Sequence, residues 1–258
     1  MKKTEPHHST QRVIDILDSI MKQNDNGLTL TELAFKLDAP KSSLFPIVHT
    51  LYKAKLLNFT EGTSRYTIGM KAYEIGNAYL RNGSINEDIM TALRNISQQC
   101  SETCYFAELV DGDVFYLFKV DSPEPIRMFA SPGKRLPAYS AGIGKALLSG
   151  KNKEEIMALY PDGLLQVTEH TITDVDQLCD QLAEIWQNGI AFECEESTPF
   201  IRCVAVPIKR AGVIRAAMSV AVPVFRYNPE KEALIIKLLQ EARGSIENLL
   251  NTANWSGF

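Results

Sequence analysis

Lys41, Ser42 and Ser43 stand together directly after Pro40. A cation and two hydroxyls at the first turn of a helix suit phosphate oxygens, which such a turn also meets with unbonded backbone amides. His49, Tyr52 and Lys53 follow at helical spacing, where a side chain reaches a base edge or a phosphate of a duplex. Arg65 falls in a short hairpin, placed to track a phosphate backbone. The plainer reading of these residues is a solvated helix face with ordinary surface charge. Two other groups suggest different chemistry. Cys203, His170 and Glu193 make, in outline, a nucleophile, a base and an orienting acid, but His170 lies in a polar stretch that reads as a surface loop. Cys100 and Cys104 are four apart, so an unbroken helix would put both thiols on one face. With no further Cys or His beside them they read as core or helix-end residues rather than metal ligands. The expectation is therefore no catalytic residue, no metal site and no cofactor.

The elements around Lys41–Lys53 explain why these residues matter. Val13, Ile16, Leu17, Ile20 and Met21 repeat at helical period and predict an amphipathic helix over 10–22. Thr29-Leu30-Thr31-Glu32 is a capping box that opens a second helix, with Leu33, Ala34 and Leu37 inward. Asp38-Ala39-Pro40 ends it, and a third helix over 41–54 buries Leu44, Val48 and Leu51. Strands at 56–59 and 65–68 flank Glu61-Gly62-Thr63. Helix, turn, helix and hairpin in that order put one helix into a DNA groove and a wing along the backbone. Pro46 lies inside the third helix, where it removes one hydrogen bond and crowds the Ser42 carbonyl. An interior proline costs about 3 kcal/mol, so the helix is predicted to kink or to begin irregularly there.

Residues 71–82 read as a helical linker, with Tyr73, Gly76, Tyr79 and Leu80 on one side. Beyond it come a helix over 85–100, strands at 105–110 and 114–120 around Asp111-Gly112, and a third strand near 126–130. A helix then starts through Gly142 and Gly144, and another spans 174–188 with Leu178, Leu182, Ile185 and Trp186 inward. Strands at 201–208 and 213–222 meet across Arg210-Ala211-Gly212, and a last helix covers 229–250. Strand runs with a few helices predict an antiparallel α+β domain. The expected boundaries are a winged helix-turn-helix at 1–70, a linker at 71–83 and a second domain at 84–258.

Composition sets limits on function. The chain has 258 residues, 45% apolar and 22% charged, the balance of an ordinary globular protein. No apolar run approaches the ~20 residues of a membrane span, and the start of the chain lacks the apolar core of a signal peptide. Five cysteines, an odd number without framework spacing, fit a reduced cytoplasmic compartment. The net charge of −4 hides an asymmetry: residues 1–80 carry 10 Lys/Arg against 8 Asp/Glu, the remainder 17 against 23. A mildly basic head on an acidic body suits DNA binding through a small surface and excludes non-specific coating of nucleic acid.

The blocks Thr29–Ala34, Pro40-Lys41-Ser42-Ser43, Thr50-Leu51 and Tyr66–Gly69 resemble the winged helix-turn-helix of the IclR-type bacterial transcriptional regulators. Gly133–Pro137 followed by Ser140–Leu148, then Gly189–Glu193, Arg202–Ile208 and Ala216–Val220, are similar to the second half of that family, in its order. The resemblance implies a winged helix-turn-helix joined by a helix to a GAF/profilin-like effector domain. It also implies dimers through the DNA-binding half, tetramers through the other, a pseudo-palindromic operator and control by a small metabolite, often a carboxylate. Repression is the commoner output. Carried over by position, the effector site would comprise Gly142, Ile143, Glu193, Cys203 and Ser219. The chemistry is consistent: amides at a helix start suit a carboxylate, and a Ser hydroxyl and a Cys thiol can bond a ligand oxygen. Glu193 would pair with a ligand hydroxyl or be protonated beside a ligand carboxylate. Taken singly, each has an ordinary reading as a core or strand-end residue. The chain departs from the family pattern at Pro46, at Ala221, where a second pocket hydroxyl is common, and at Ile143, which is bulkier than usual.

Overall fold

The computed structural model describes residues 7–23, 26–80, 84–127 and 135–252, in two units, 1–82 and 83–258. In the first, α1 (His8–Met21), α2 (Leu30–Lys36) and α3 (Lys41–Lys53) enclose a core that includes Ile16, Ile20, Leu33, Leu44, Val48 and Leu51. β1 (Leu28–Thr29), β2 (Leu57–Thr60) and β3 (Arg65–Ile68) form an antiparallel sheet in the order β1-β3-β2, the wing. The capping box is formed in full: the Glu32 amide donates to Thr29 Oγ1 at 3.2 Å and the Thr29 amide to Glu32 Oε2 at 2.7 Å. Asp38, at φ 44°, turns the chain between α2 and α3. Met21, expected inward, is exposed, because it is the last residue of α1 and has no further turn to cover it. α4 (Met70–Leu80) follows the wing.

Pro46 does not disturb the helix as expected: α3 runs unbroken and its first turns are regular, with the Leu44 amide bonded to the Pro40 carbonyl. The reason is position. Pro46 and Ser42 both lie on the exposed side of α3, so the Ser42 carbonyl that loses its helical donor faces water.

In the second unit a six-stranded antiparallel sheet runs in the order β6-β5-β4-β9-β8-β7. Its strands are β4 (Thr103–Val110), β5 (Asp113–Val120), β6 (Arg135–Pro137), β7 (Ala191–Cys194), β8 (Ile201–Arg210) and β9 (Val213–Pro223). Period-two alternation gives the sheet two apolar faces. Phe106, Val204, Val206, Met218 and Val220 pack with α5 (Ser84–Cys100) and α9 (Pro229–Thr252). Tyr105, Ala107, Cys203, Ala205, Ala217 and Ala221 pack on the other face, under α6 (Gly142–Leu148), α7 (Lys153–Leu159) and α8 (Val175–Asn188). The Asp111-Gly112 hairpin forms with both residues at positive φ.

Several expectations are corrected. Residues 126–127 are not strand and 128–130 lie outside the described residues; the strand that pairs with β5 is β6, at 135–137. Trp186 points outward, its ring under the Lys209 ammonium at 3.8 Å. Helix α5 stops at Cys100, Ser101 takes φ 60°, and Cys104 enters β4, so the two buried thiols share no helical face. Among the described residues no His, Cys, Asp or Glu group is arranged to hold a metal ion, and no helix is long and apolar enough to cross a membrane.

Candidate functional site

Two sites follow from the two units. In the first, α3 presents Lys41, Ser42, Ser43, His49 and Lys53 on its exposed side. They are not equivalent. Ser43 Oγ donates to the Pro40 carbonyl at 2.8 Å, which leaves its lone pairs for an outside donor and occupies its proton. His49 is stacked on Phe45, ring centroids 5.7 Å apart and 24° between planes. Arg65 does not project from the wing as expected. Its Nη1 donates to the Gly27 carbonyl at 2.8 Å and its Nη2 to Glu32 Oε1 at 2.9 Å. It therefore ties β3 to the start of α2, and the Glu32 carboxyl, bonded to Thr29 as well as to Arg65, is held below its ordinary pKa.

In the second unit, Gly142 opens α6 with Ala141 before it and no side chain capping the first turn. Every residue of α6 is buried. A Cβ added to Gly142 would lie 3.1 Å from the Cβ atoms of both Glu193 and Cys203, so the helix start rests directly on β7 and β8. The absent side chain of Gly142 is what allows this approach. Gly144 is tighter still, since a Cβ there would meet the Ala138 carbonyl oxygen at 2.1 Å. Glu193 and Cys203 are register partners across β7 and β8. Ser219 lies one strand further, opposite Ala205 on β8 and Tyr105 on β4. Ile143 is buried in the same cluster.

Glu193 is almost fully buried. Its Oε1 accepts from the amides of Glu196 and Ser197 at 2.5 and 3.1 Å, while Oε2 has no partner. Two residues that the sequence reading did not single out complete the polar cluster. Lys145 is fully buried on α6, with Nζ 2.5 Å from Glu196 Oε1 and 3.0 Å from Gln181 Oε1. Glu196 Oε2, like that of Glu193, is buried and unbonded. The available signal was a lysine inside the otherwise apolar run Ile143–Leu148. A groove of about 360 Å³ along the edge strand β7 reaches Gln181, Glu193 and Glu196 from outside, with Arg202 and Tyr227 on its wall. The enzyme reading finds no support. Burial and the neighbouring Glu193 push the Cys203 thiol well above its ordinary pKa, the opposite of what a nucleophile needs, and His170 is exposed.

Burial raises the Glu193 carboxyl to about 7, against the pull of the two amides and the Cys203 thiol. Unfolded, it would titrate near 4.5. Between those values the native state holds the extra proton, so stability falls as pH rises from about 4.5 to about 7 and stays lower above it. Glu193→Gln keeps the acceptor for both amides and removes the titration. The variant is expected to match the parent at pH 5 and to exceed it at pH 8 by roughly 3 kcal/mol, read by urea denaturation at the two pH values. Parallel pH dependence in both proteins would count against a buried, titrating Glu193.

Residues 9–59 match the model of the IclR helix-turn-helix domain and residues 77–248 that of the bacterial transcriptional regulator IclR C-terminal domain. The chain is 29% identical over 251 residues to the HTH-type transcriptional regulator KdgR of Escherichia coli (strain K12), covering 95% of this chain and 93% of that protein. It is 32% identical over 233 residues to the HTH-type transcriptional regulator BhcR of Paracoccus denitrificans (strain Pd 1222), covering 90% and 83%. An IclR transcriptional regulator from Alicyclobacillus acidocaldarius has the same fold, at a TM-score of 0.86 and 20% identity over 96% of this chain and 100% of that one. An IclR homologue from Microbacterium hydrocarbonoxydans, solved in complex with 4-hydroxybenzoate, aligns at a TM-score of 0.79 and 22% identity over 93% and 98%. With a winged helix-turn-helix in one unit, a six-stranded sheet in the other and family matches that span both, the chain belongs to the IclR family of DNA-binding bacterial transcriptional regulators.

Proposed function

We propose that this regulator is a repressor controlled by a small hydroxylated carboxylate, such as a sugar acid, bound at the start of α6 beside Glu193, Cys203 and Ser219. The observation that carries this reading is the unpartnered, buried Oε2 of Glu193 beside the uncapped first turn of α6. An unpaired buried carboxyl oxygen is costly, and a ligand hydroxyl would satisfy it. The amides of Gly142 and Ile143, which have no acceptor within the helix, would hold the ligand carboxylate, while Cys203 and Ser219 would meet its remaining oxygens. A hydroxy acid carries both groups at once, as does the 4-hydroxybenzoate bound to the Microbacterium homologue.

Lys41 and Ser42 would hold phosphates, Ser43, its proton spent on the Pro40 carbonyl, would accept from a donor on the duplex, and His49 and Lys53 would lie along the groove; Arg65 would act through the shape of the wing. The boundaries that fit this division of labour are a DNA-binding domain at 1–70, a connecting helix at 71–83 and an effector domain at 84–258. The protein would act as a dimer or tetramer on a pseudo-palindromic site in the cytoplasm, where the DNA is.

The test has two arms. Gel shifts of the full chain on its own upstream DNA are expected to show saturable, sequence-selective binding that weakens with salt. A thermal-shift screen of sugar acids and small carboxylates is expected to find one that raises stability by ~2.7 kcal/mol at 100 times its Kd and alters the gel shift. Non-selective binding sinks the operator half; a screen in which every acid leaves the melting unchanged sinks the effector half.

A further inference from the structure

Helix α3 brings a particular set of side chains to a duplex. Ser42, Phe45, Pro46 and His49 are spaced i, i+3, i+4, i+7 and are all exposed, on the side away from the buried Leu44, Val48 and Leu51. The helix contains no Arg, Asn, Gln, Asp or Glu, the residues that read guanine, adenine and cytosine edges by bidentate or charged hydrogen bonds. Its two lysines stand at its first and last positions. Thr50 turns its hydroxyl proton back to the Pro46 carbonyl at 2.7 Å, as Ser43 does to Pro40 at 2.8 Å. Phe45, half exposed, is braced rather than loose. It stacks on His49, which leans on Tyr52 at 6.5 Å, and the row of rings continues through Phe59 at 6.3 Å to Tyr66.

A braced aromatic ring beside a pyrrolidine offers a base edge neither donor nor acceptor. The apolar group that the major groove displays is the C5 methyl of thymine. From this juxtaposition of Phe45 and Pro46 on the outer face of α3, we infer that the chain reads its half-site through thymine methyl groups. The inference rests on the DNA-binding reading above and goes beyond it by naming the base and the residues. It also gives Pro46 a role: a residue that costs a hydrogen bond within α3 supplies part of the apolar contact.

The experiment uses the full chain and duplexes recovered by selection from a random-sequence library. Each thymine of the recovered half-site is replaced in turn by deoxyuridine, which removes the methyl and keeps the pairing. Binding is expected to fall about fourfold at one or two positions per half-site, the effect of one buried methyl. In Phe45→Ala or Pro46→Ala the thymine-over-uracil preference at one of those positions is expected to vanish. Uracil tolerated at every position, or a preference unchanged in both variants, overturns the inference and leaves the DNA-binding reading standing. Selection that enriches no sequence removes that reading, and this inference with it.

Discussion

Lys145→Ala is expected to destabilise the second unit by about 3–5 kcal/mol at pH 8, the usual cost of breaking a buried ion pair from one side. The ammonium is fully buried, and removing it leaves Glu196 facing Glu193 with no cation between α6 and the β7–β8 loop. Two buried carboxylates cannot both remain ionised, so the loss should shrink at pH 5, where both can take up protons. The direction follows from the parent protein, in which burial already raises the Glu196 carboxyl in spite of Lys145. A second substitution separates charge from packing: Lys145→Met with Glu196→Gln removes both charges, keeps most of the volume, and is expected to recover more than half of the loss. Urea denaturation at the two pH values reads all of this. A loss below about 1 kcal/mol, typical of exposed pairs, would show that Lys145 reaches water.

The second large effect is expected at Glu102, apart in sequence from Lys145 and Glu196. Its buried carboxylate accepts from Arg226 Nε and Nη2 at 2.8 and 2.7 Å and from Lys231 Nζ at 2.6 Å. The triad fastens the α5–β4 loop to the segment between β9 and α9 through Arg226 and to the first turn of α9 through Lys231. The fork–fork geometry is the stronger half, and it raises the Arg226 pKa. Glu102→Ala is expected to cost about 3–4 kcal/mol, Arg226→Ala less, because Lys231 still pairs the carboxylate, and Lys231→Ala least. Chemical denaturation of the three variants gives the order directly. Equal losses at all three would mean that the cations do not share one acceptor.

Local chemistry carried much of the fold into the sequence. Thr29 and Glu32 announce the start of α2 because both capping partners lie within four residues, and Asp111-Gly112 announces its hairpin for the same reason. The approach of Gly142 to Glu193 and Cys203 came from the family pattern, since these residues are spread over more than sixty positions. What was missed depends on distant partners or short elements. Arg65 reads as a wing cation until Glu32 and the Gly27 carbonyl are seen to occupy it. The pairing of Lys145 with Glu196, 51 positions away, has no local signature. Helix α7 and strand β7 are seven and four residues long, too short for a periodic pattern to show. Trp186 fits the inward period of α8 yet lies outward, where its ring meets the Lys209 ammonium of β8, a partner 23 positions away.

The two faces of the six-stranded sheet differ mechanically. Toward α9, the side chains are Val204, Val206, Met218 and Val220, branched or long, which interlock with the helix above them. Toward α6, beside Tyr105, Glu193, Cys203 and Ser219, stand Ala205, Ala217 and Ala221, single methyl groups with no rotamer to change. A helix displaced across the first face must force several side chains out of their wells, whereas one displaced across the second meets fewer that have a rotamer to change. The stiffer backing therefore lies under α9, and α6, tied by Lys145 to the loop after β7, sits on the face whose packing resists displacement less.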